Sequence, residues 1–373
     1  MEWVAQIEES LFRLGKQAAI GRPIKGSTVE IVSTPFGNAF FADSVTRGII
    51  GNLVGDEECL ILMDAAGLPG CEGGPVYLID HRDRKSLCGM VIATLSWCRG
   101  EWVDYTLAVN LLPSLKRILR NRALRDRNVP RSFVSTVLRC RAEKPLHRVD
   151  SLERSVVIVR CGPNWGTGIL LNEQSGIFIT CAHVVNKAFE RRIELAAPRK
   201  GRTDWIALAR LIYKTQDGKP YDIAVLKIDS NHRDPSMKAI KLADKPARRG
   251  ERVLSIGFPF SSRGKATVSS GVVSKTSVSM LQTNCCAQSG SSGGPIVRRD
   301  TFEMLGIIVS NTVSSDGSIL YPRLSMAVPV TVFKQSLDSY LQTTDPKMLQ
   351  DLTERDANVE ALWNLRPYLF SHI

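Results

Sequence analysis

An internal repeat is the feature that most constrains what this chain can fold into. Residues 26–36 (GSTVEIVSTPF) match residues 250–260 (GERVLSIGFPF), and residues 70–79 (GCEGGPVYLI) match residues 290–299 (GSSGGPIVRR). Further matches interleave with these in the same order: 44–50 with 267–274, 89–95 with 306–312, and 105–111 with 324–330. Matches that keep one order along the chain are hard to obtain by chance, so the sequence indicates two related copies of one folding unit.

The repeated blocks have the character of short β-strands. They are rich in β-branched and apolar residues, and clusters of Gly, Pro and Ser separate them. Strands at such spacing predict an all-β barrel or sandwich. Each copy then ends in apolar residues at helical spacing, in 112–124 and again in 331–341.

The two copies differ in length, and this difference sets the predicted domain boundaries. About 100 strand-rich residues precede the repeat in the second copy, and the first copy has no counterpart to them. We therefore predict a partial barrel at 1–125, a basic linker at 126–148, a full unit at 149–343 and a tail at 344–373. A lone half-unit exposes an apolar face. The first copy is thus expected either to contact the second unit closely or to belong to a shortened form of a longer protein.

Three segments of the second copy carry the signals of nucleophilic catalysis. His183 lies in ITCAHVV, Asp222 opens the apolar segment DIAVLKI, and Ser292 lies in the turn GSSGGP. A serine hydroxyl needs a neighbouring base near neutral pH, which His183 would supply. Asp222 would then fix the imidazole tautomer. The glycines around Ser292 let the N–H groups of Gly290 and Ser292 turn inward as an oxyanion hole.

These motifs resemble the chymotrypsin-fold serine proteases of the Deg/HtrA branch. The order His, Asp, Ser fits that family, as do GTGILL, GFPF, TVSSGVVS and GIIVSN. The resemblance covers about 149–335. It implies a chymotrypsin-like double β-barrel with the triad between the barrels, and a strand at Ile308, Val309 and Ser310 that pairs with the substrate backbone.

The first copy resembles the same signature but lacks its chemistry. Glu72 stands where the nucleophile should be, and no His or Asp counterpart precedes it. The first copy is therefore expected to be a degenerate, truncated protease-like barrel. It would serve either as a packing module or as a docking or dimerisation surface.

The combination of a degenerate first copy and an active second copy resembles the glyoxysomal type of peroxisomal leader-peptide processing proteases. This resemblance implies a serine endopeptidase that removes leader peptides from peroxisomal matrix proteins such as β-oxidation enzymes. The alternatives are a general HtrA-like quality-control protease and a catalytically silent binding scaffold. The terminal Ser371-His372-Ile373 only partly fits a peroxisomal address of the Ser-Lys-Leu type. The matrix of the peroxisome is thus the expected location, with the cytoplasm as the alternative.

The resemblance to the chymotrypsin fold places Cys286 at the base of the specificity pocket, six residues before Ser292. A small neutral base argues against a substrate Lys or Arg, because a buried cation needs a paired acid. We therefore predict small or weakly polar residues before the cleaved bond. The alternative for Cys286 is a buried small hydrophobe.

Composition narrows the remaining possibilities. The nine cysteines are scattered without C-x-x-C spacing, which favours reduced thiols over disulfides or a zinc site. The net charge of +12 is concentrated in 116–148, where a solvated linker is favoured over a nucleic-acid site. No apolar run is long enough to span a membrane. We expect protein precursors as substrates, a possible homo-oligomer, no nucleic-acid or membrane partner, and no cofactor or metal.

Overall fold

The computed structural model describes residues 2–20, 22–98, 101–125, 148–186, 192–198, 203–217, 219–260, 264–313, 320–353 and 356–363. The chain divides into two compact units. Within the described ranges, unit 1 contains one β-barrel and the α-helices at Glu2–Ile20 and Leu111–Arg125, and unit 2 contains two β-barrels and further helices. Residues 126–147 of the predicted linker and residues 364–373 of the predicted tail, including Ser371-His372-Ile373, lie outside the described ranges.

Barrel 1 lies in unit 1 and closes through six antiparallel strands. Its strands are β1 (Thr28–Ser33), β2 (Ser44–Val54), β3 (Leu60–Met63), β4 (Pro75–Ile79), β5 (Lys85–Cys98) and β6 (Glu101–Asn110). Helices α1 (Glu2–Ile20) and α2 (Leu111–Arg125) pack together through Ala18, Leu112 and Leu115.

Barrels 2 and 3 form unit 2. Barrel 2 consists of β7 (Val156–Cys161), β8 (Asn164–Asn172), β9 (Ile177–Cys181), β10 (Ile193–Ala197), β11 (Trp205–Lys214) and β12 (Ile223–Ile228). Barrel 3 consists of β13 (Arg252–Gly257), β14 (Thr267–Thr276), β15 (Leu281–Thr283), β16 (Pro295–Arg298), β17 (Met304–Val313) and β18 (Leu320–Pro329). The α-helices in the described part of this unit are α3 (Arg148–Glu153), α4 (Val330–Thr343) and α5 (Ala357–Trp363).

All three barrels share one strand order. In each, the first three strands are neighbours, the third pairs with the sixth, and the fifth and fourth close the barrel back onto the first. The prediction of an all-β, chymotrypsin-like double barrel preceded by a further protease-like barrel is confirmed. The two repeated sequence blocks form barrel 1 and barrel 3. The strand-rich residues before the second block form barrel 2.

Inward-facing apolar side chains fill the closed barrels. In β1, Val29 and Ile31 point into the barrel and are fully buried, together with Ile61 of β3 and Val76 of β4. The equivalent positions of barrel 3 are filled by Val253, Leu281 and Ile296, among others. Successive side chains of a strand point to opposite faces, so a shift of one residue in register would move these apolar side chains out of the barrel core.

The described helices include none that is long and apolar enough to cross a membrane.

Candidate active site

The pairing of β9 with β12 brings His183 and Asp222 together. Cys181, the last residue of β9, lies opposite Ile223, the first residue of β12. One residue beyond this pair, the Ala182 N–H donates to the Asp222 carbonyl at 3.0 Å. A short 3₁₀ turn (Ala182–Val185) then carries His183 away from the strand. The sheet register therefore fixes the spacing of the two side chains.

The Asp222 carboxylate holds His183 by both its backbone and its ring. Oδ1 accepts the His183 backbone N–H at 2.8 Å, and Oδ2 is hydrogen-bonded to Nδ1. Because a carboxylate only accepts, the imidazole proton is assigned to Nδ1. Nε2 is then left with a free lone pair, which is the form a general base needs.

Ser292 lies in the turn between β15 and β16, and the backbone of this turn depends on two glycines. Gly290 has φ +95° and Gly293 has φ +86°, both in the left-handed region. A Cβ on Gly293 would lie 2.0 Å from the Thr167 carbonyl oxygen. No other residue fits there without displacing β8.

Thr167 of β8 fastens the Ser292 turn to barrel 2. Its N–H donates to the Ser292 carbonyl at 2.8 Å, and its Oγ1 donates to the Gly290 carbonyl at 2.8 Å. The same Oγ1 accepts the Phe258 N–H at 3.2 Å. Thr167 is fully buried. The sequence analysis missed this role, although the residue lies inside the GTGILL motif.

The Ser292 turn also meets the end of β9, which leads directly to His183. A Cβ on Gly293 would come within 3.2 Å of the Cys181 backbone nitrogen, and a Cβ on Gly166 would meet both Ser292 and Val184. The structure therefore brings His183, Asp222 and the Ser292 turn to one place between barrels 2 and 3.

The Ser292 hydroxyl donates to the Val309 carbonyl at 3.0 Å. Within the described ranges, no hydrogen bond joins it to His183. Rotation about χ1 of Ser292 redirects the hydroxyl without moving the backbone. Catalytic hydrogen bonds are often loose without substrate, so this geometry is compatible with the predicted base.

Two backbone N–H groups of the turn are available for an oxyanion. The N–H groups of Ser291, Gly293 and Gly294 donate to the carbonyls of Gln288, Ile308 and Ser291. Among the described residues, those of Gly290 and Ser292 donate to no protein acceptor. These are the two donors that the sequence analysis assigned to the oxyanion hole.

The predicted substrate strand begins beside this turn. The Ile308 backbone is already used, because its N–H donates to Gly294 and its carbonyl accepts from Gly293. Val309 is buried, and Ser310 is exposed. Of the three predicted residues, Ser310 therefore lies where an added strand has the most access, and its role stays a prediction.

Cys286 is buried, and its N–H donates to the Ser269 hydroxyl at 2.8 Å. Its assignment to the pocket base also stays a prediction.

Gln288 lies two residues further along the chain, and no sequence motif marks it as functional. Its side chain is 5% exposed, and within the described structure neither amide atom has a hydrogen-bond partner.

Comparison with known proteins finds similarity to serine proteases. A family model described as the trypsin-like peptidase domain matches residues 166–307, a range that contains His183, Asp222 and Ser292. The human protein named peroxisomal leader peptide-processing protease is 31% identical over 380 residues, covering 97% of this chain and 64% of the human protein.

Residues 166–307 of this chain are thus similar to the trypsin-like peptidase domain.

Other relatives of this chain include a second peroxisomal protease and an HtrA protein. The mouse peroxisomal leader peptide-processing protease is 31% identical over 370 residues, covering 94% of this chain and 61% of that protein. Zebrafish (Danio rerio) serine protease HTRA1B is 31% identical over 204 residues, covering 52% of this chain and 37% of that protein. This chain therefore spans less than two thirds of the length of these curated relatives. The family resemblance drawn from the motifs is confirmed.

The solved structures that resemble this chain include a serine endoprotease from Yersinia pestis. It is 24% identical, with a TM-score of 0.42, over 52% of this chain and 67% of that chain. The fold assignment rests on the strand order of the three barrels rather than on this likeness.

Barrel 1 has an equivalent turn, but Glu72 stands at the position that corresponds to Ser292. Gly70 and Gly73 have φ +90° and +84°, as their counterparts in the Ser292 turn do. The Glu72 carboxylate accepts the Gly70 N–H at 2.9 Å. The side chain at the nucleophile position thus occupies the donor that corresponds to the Gly290 N–H, and a carboxylate there cannot act as a serine does.

The two copies provide a matched test of the Ser292 turn. Gly293→Ala should lower the free energy of unfolding by at least about 3 kcal/mol, because the new methyl meets the Thr167 carbonyl. Gly73→Ala has the same positive φ but nothing within 4 Å of the new methyl, so only backbone strain of about 1–2 kcal/mol is expected. Chemical denaturation measures both. Equal losses in the two variants would contradict the packing described for Gly293.

Proposed function

We propose that this chain is a serine endopeptidase that removes leader peptides from peroxisomal matrix proteins, including β-oxidation enzymes. The observation that carries the proposal is the convergence of the His183–Asp222 pair with a Ser292 turn that presents two unused N–H donors. The substrate class is supported by the similarity to the peroxisomal leader peptide-processing proteases over nearly the whole chain.

In this mechanism, Ser292 Oγ attacks the peptide carbonyl while His183 Nε2 takes its proton. The Asp222 carboxylate stabilises the imidazolium that forms. The N–H groups of Gly290 and Ser292 bind the oxyanion, and removal of one such donor typically costs about 2.7–4 kcal/mol of barrier stabilisation. His183 then protonates the leaving amine, and a water molecule hydrolyses the acyl-enzyme by the same route. This route needs neither metal nor cofactor.

A general quality-control protease is the second candidate function. It is favoured by the similarity of about half of the chain to the HtrA proteins of zebrafish and other animals. The peroxisomal relatives match almost the whole chain at the same identity, including barrel 1, and this favours the leader-processing function.

The experiment compares two substrates with the purified full chain. One substrate is a leader-bearing precursor of a matrix enzyme, and the other is unfolded casein. Leader processing predicts one discrete cut in the precursor and little digestion of casein. Broad digestion of both would favour the quality-control protease. No cleavage of either, together with no label at Ser292 from a fluorophosphonate, would favour a silent scaffold.

The proposed location is the peroxisomal matrix, and the proposed partners are protein precursors. Fractionation of cells that express the tagged chain tests the location. A homo-oligomer stays a prediction, which sedimentation of the purified chain would test.

Cys286 gives a prediction about specificity. If it forms the pocket base, peptides with Ala or Cys before the cleaved bond should be cut at least about tenfold faster than those with Arg, because no acid is present to pair a buried cation. A peptide panel that varies only this position measures the ratio of kcat/KM. Cys286→Asp should shift the preference towards Arg. A wild-type preference for Arg would contradict the assignment.

A further inference from the structure

We propose that Cys181, His183 and Asp222 form an inhibitory Zn²⁺ site. The Cys181 thiol, a His183 ring nitrogen and an Asp222 carboxylate oxygen all lie within 4.8 Å of one another. A metal ion bound there would occupy two of the groups proposed for catalysis.

The spacing of these atoms suits a small tetrahedral ion. Zinc bonds of about 2.0–2.3 Å place neighbouring ligand atoms about 3.3–3.8 Å apart. The three ligands come from the end of β9, from the residue before β12, and from the turn after β9, so the register of one strand pair holds them together. Only small side-chain movements are needed to close the site.

The ligand types favour zinc over harder cations. A thiolate, an imidazole and a carboxylate together suit a borderline soft ion, whereas Mg²⁺ and Ca²⁺ prefer oxygen ligands alone. The Cys181 thiol is fully buried, and the side chains of Asp222 and His183 are 22% and 46% exposed. An ion would therefore enter past His183 and keep a water molecule as its fourth ligand.

Without metal, the thiol is protonated, because it donates to the Ile308 carbonyl at 3.1 Å. The metal must displace this proton, and metal binding to cysteine generally releases protons for this reason.

The proton and charge balance of the binding step is simple. The Cys181 thiol loses one proton to the solvent and forms a sulfur–zinc bond. The imidazole stays neutral, because its proton moves through solvent from Nδ1 to Nε2 as Nδ1 binds the ion. One thiolate and one carboxylate then neutralise the charge of Zn²⁺.

This change removes the general base. Once Nε2 carries a proton, it can no longer accept the proton of the Ser292 hydroxyl. Asp222 also ceases to orient the ring, because its oxygen binds the metal. Zinc would therefore inhibit reversibly, and a chelator would restore the activity.

The test uses the purified full chain and Cd²⁺ as a spectroscopic substitute for Zn²⁺. Titration should produce the ultraviolet charge-transfer absorption of a cadmium–thiolate bond and saturate at one ion per chain. Zn²⁺ titration should release one proton. Both signals should disappear in Cys181→Ser, and the affinity should fall at least about 100-fold. This readout needs no turnover, so it stands even if the proposed protease function fails.

Cys88→Ser is the matched control. Cys88 is also a buried thiol that donates to a carbonyl, that of Val76 at 3.3 Å, and burial raises its pKa to about 12. It belongs to barrel 1 and is not part of the three-residue site. The control should keep the absorption, the proton release and the metal-free activity. Zinc should inhibit the wild type and the Cys88→Ser variant at the concentration at which the site fills.

Two results would overturn the proposal. One is an unchanged cadmium–thiolate absorption in Cys181→Ser, which would place the metal at another cysteine. The other is zinc inhibition of Cys181→Ser, relative to its own metal-free rate, at the wild-type concentration. That result would place inhibition on His183 and Asp222 alone or at another site.

Discussion

Replacement of Ser292 by Ala is expected to lower kcat for a leader-bearing precursor by about 10⁶-fold, because removal of a serine protease nucleophile has an effect of this size. The substitution deletes one oxygen atom and one hydrogen bond, the one to the Val309 carbonyl at 3.0 Å. The turn itself is held by Thr167 and the two glycines. The variant should therefore fold, and steady-state cleavage of the precursor measures the loss.

Loss of the base, His183, should lower kcat as much as loss of the nucleophile, Ser292. His183→Ala should cost about as much as Ser292→Ala, and the double variant should be no worse than either, since the two groups act as a unit. His232 offers a matched control, because it lies in a surface turn and its carbonyl accepts from Trp205. His232→Ala should keep wild-type activity. Turnover near the wild-type rate in His183→Ala would contradict the assignment.

Asp222→Asn is expected to lower kcat by about 10⁴-fold. The His183 backbone N–H donates to Oδ1 at 2.8 Å, so the amide oxygen of an asparagine should take this position. Its NH₂ group would then face Nδ1 and make that nitrogen an acceptor. The imidazole proton would move to Nε2, which is the wrong tautomer for a general base.

Circular dichroism separates this explanation from simple unfolding, and a pH profile of kcat/KM measures the loss of activity. Circular dichroism should be unchanged in Asp222→Asn, while kcat/KM falls across the whole neutral range. Asp217→Asn is the matched control, because Asp217 pairs with Lys214 at 2.9 Å on the surface near this strand end. That variant should retain nearly full activity. A loss of less than about tenfold in Asp222→Asn would contradict the proposed role of the carboxylate.

The fold could be predicted from the sequence because its signals are local or repeated. Strand length, the glycine and proline clusters between strands, and the match between 26–36 and 250–260 all lie in the sequence itself. The closed barrels bury the apolar side chains that these strands direct inward. The identical strand order of barrel 2 was less visible, because barrel 2 shares the topology but not the sequence blocks.

The site could be predicted only in part, because some of its contacts join residues that are far apart in the chain. His183, Asp222 and Ser292 stand in recognisable motifs, and strand pairing brings them together. Thr167 could not be assigned its role from its neighbours, because its partners Gly290 and Ser292 are over 100 residues away in the chain.

The surroundings of Cys181 and Gln288 were also not evident from their neighbours in the sequence. A cysteine two residues before the histidine has an obvious position, but its proximity to the Asp222 carboxylate arises from the opposing strand. Nothing in the sequence around Gln288 signals a buried amide. Both environments arise from pairing between distant parts of the chain, so no local sequence pattern reveals them.

Labelling of the folded chain with a fluorophosphonate tests the central claim most directly. These reagents react with a serine whose hydroxyl is activated by a neighbouring base. Peptide mapping should find the label on Ser292, and the label should be absent in Ser292→Ala and strongly reduced in His183→Ala. A folded chain that takes up no label, or takes it up equally in all three proteins, would contradict the account.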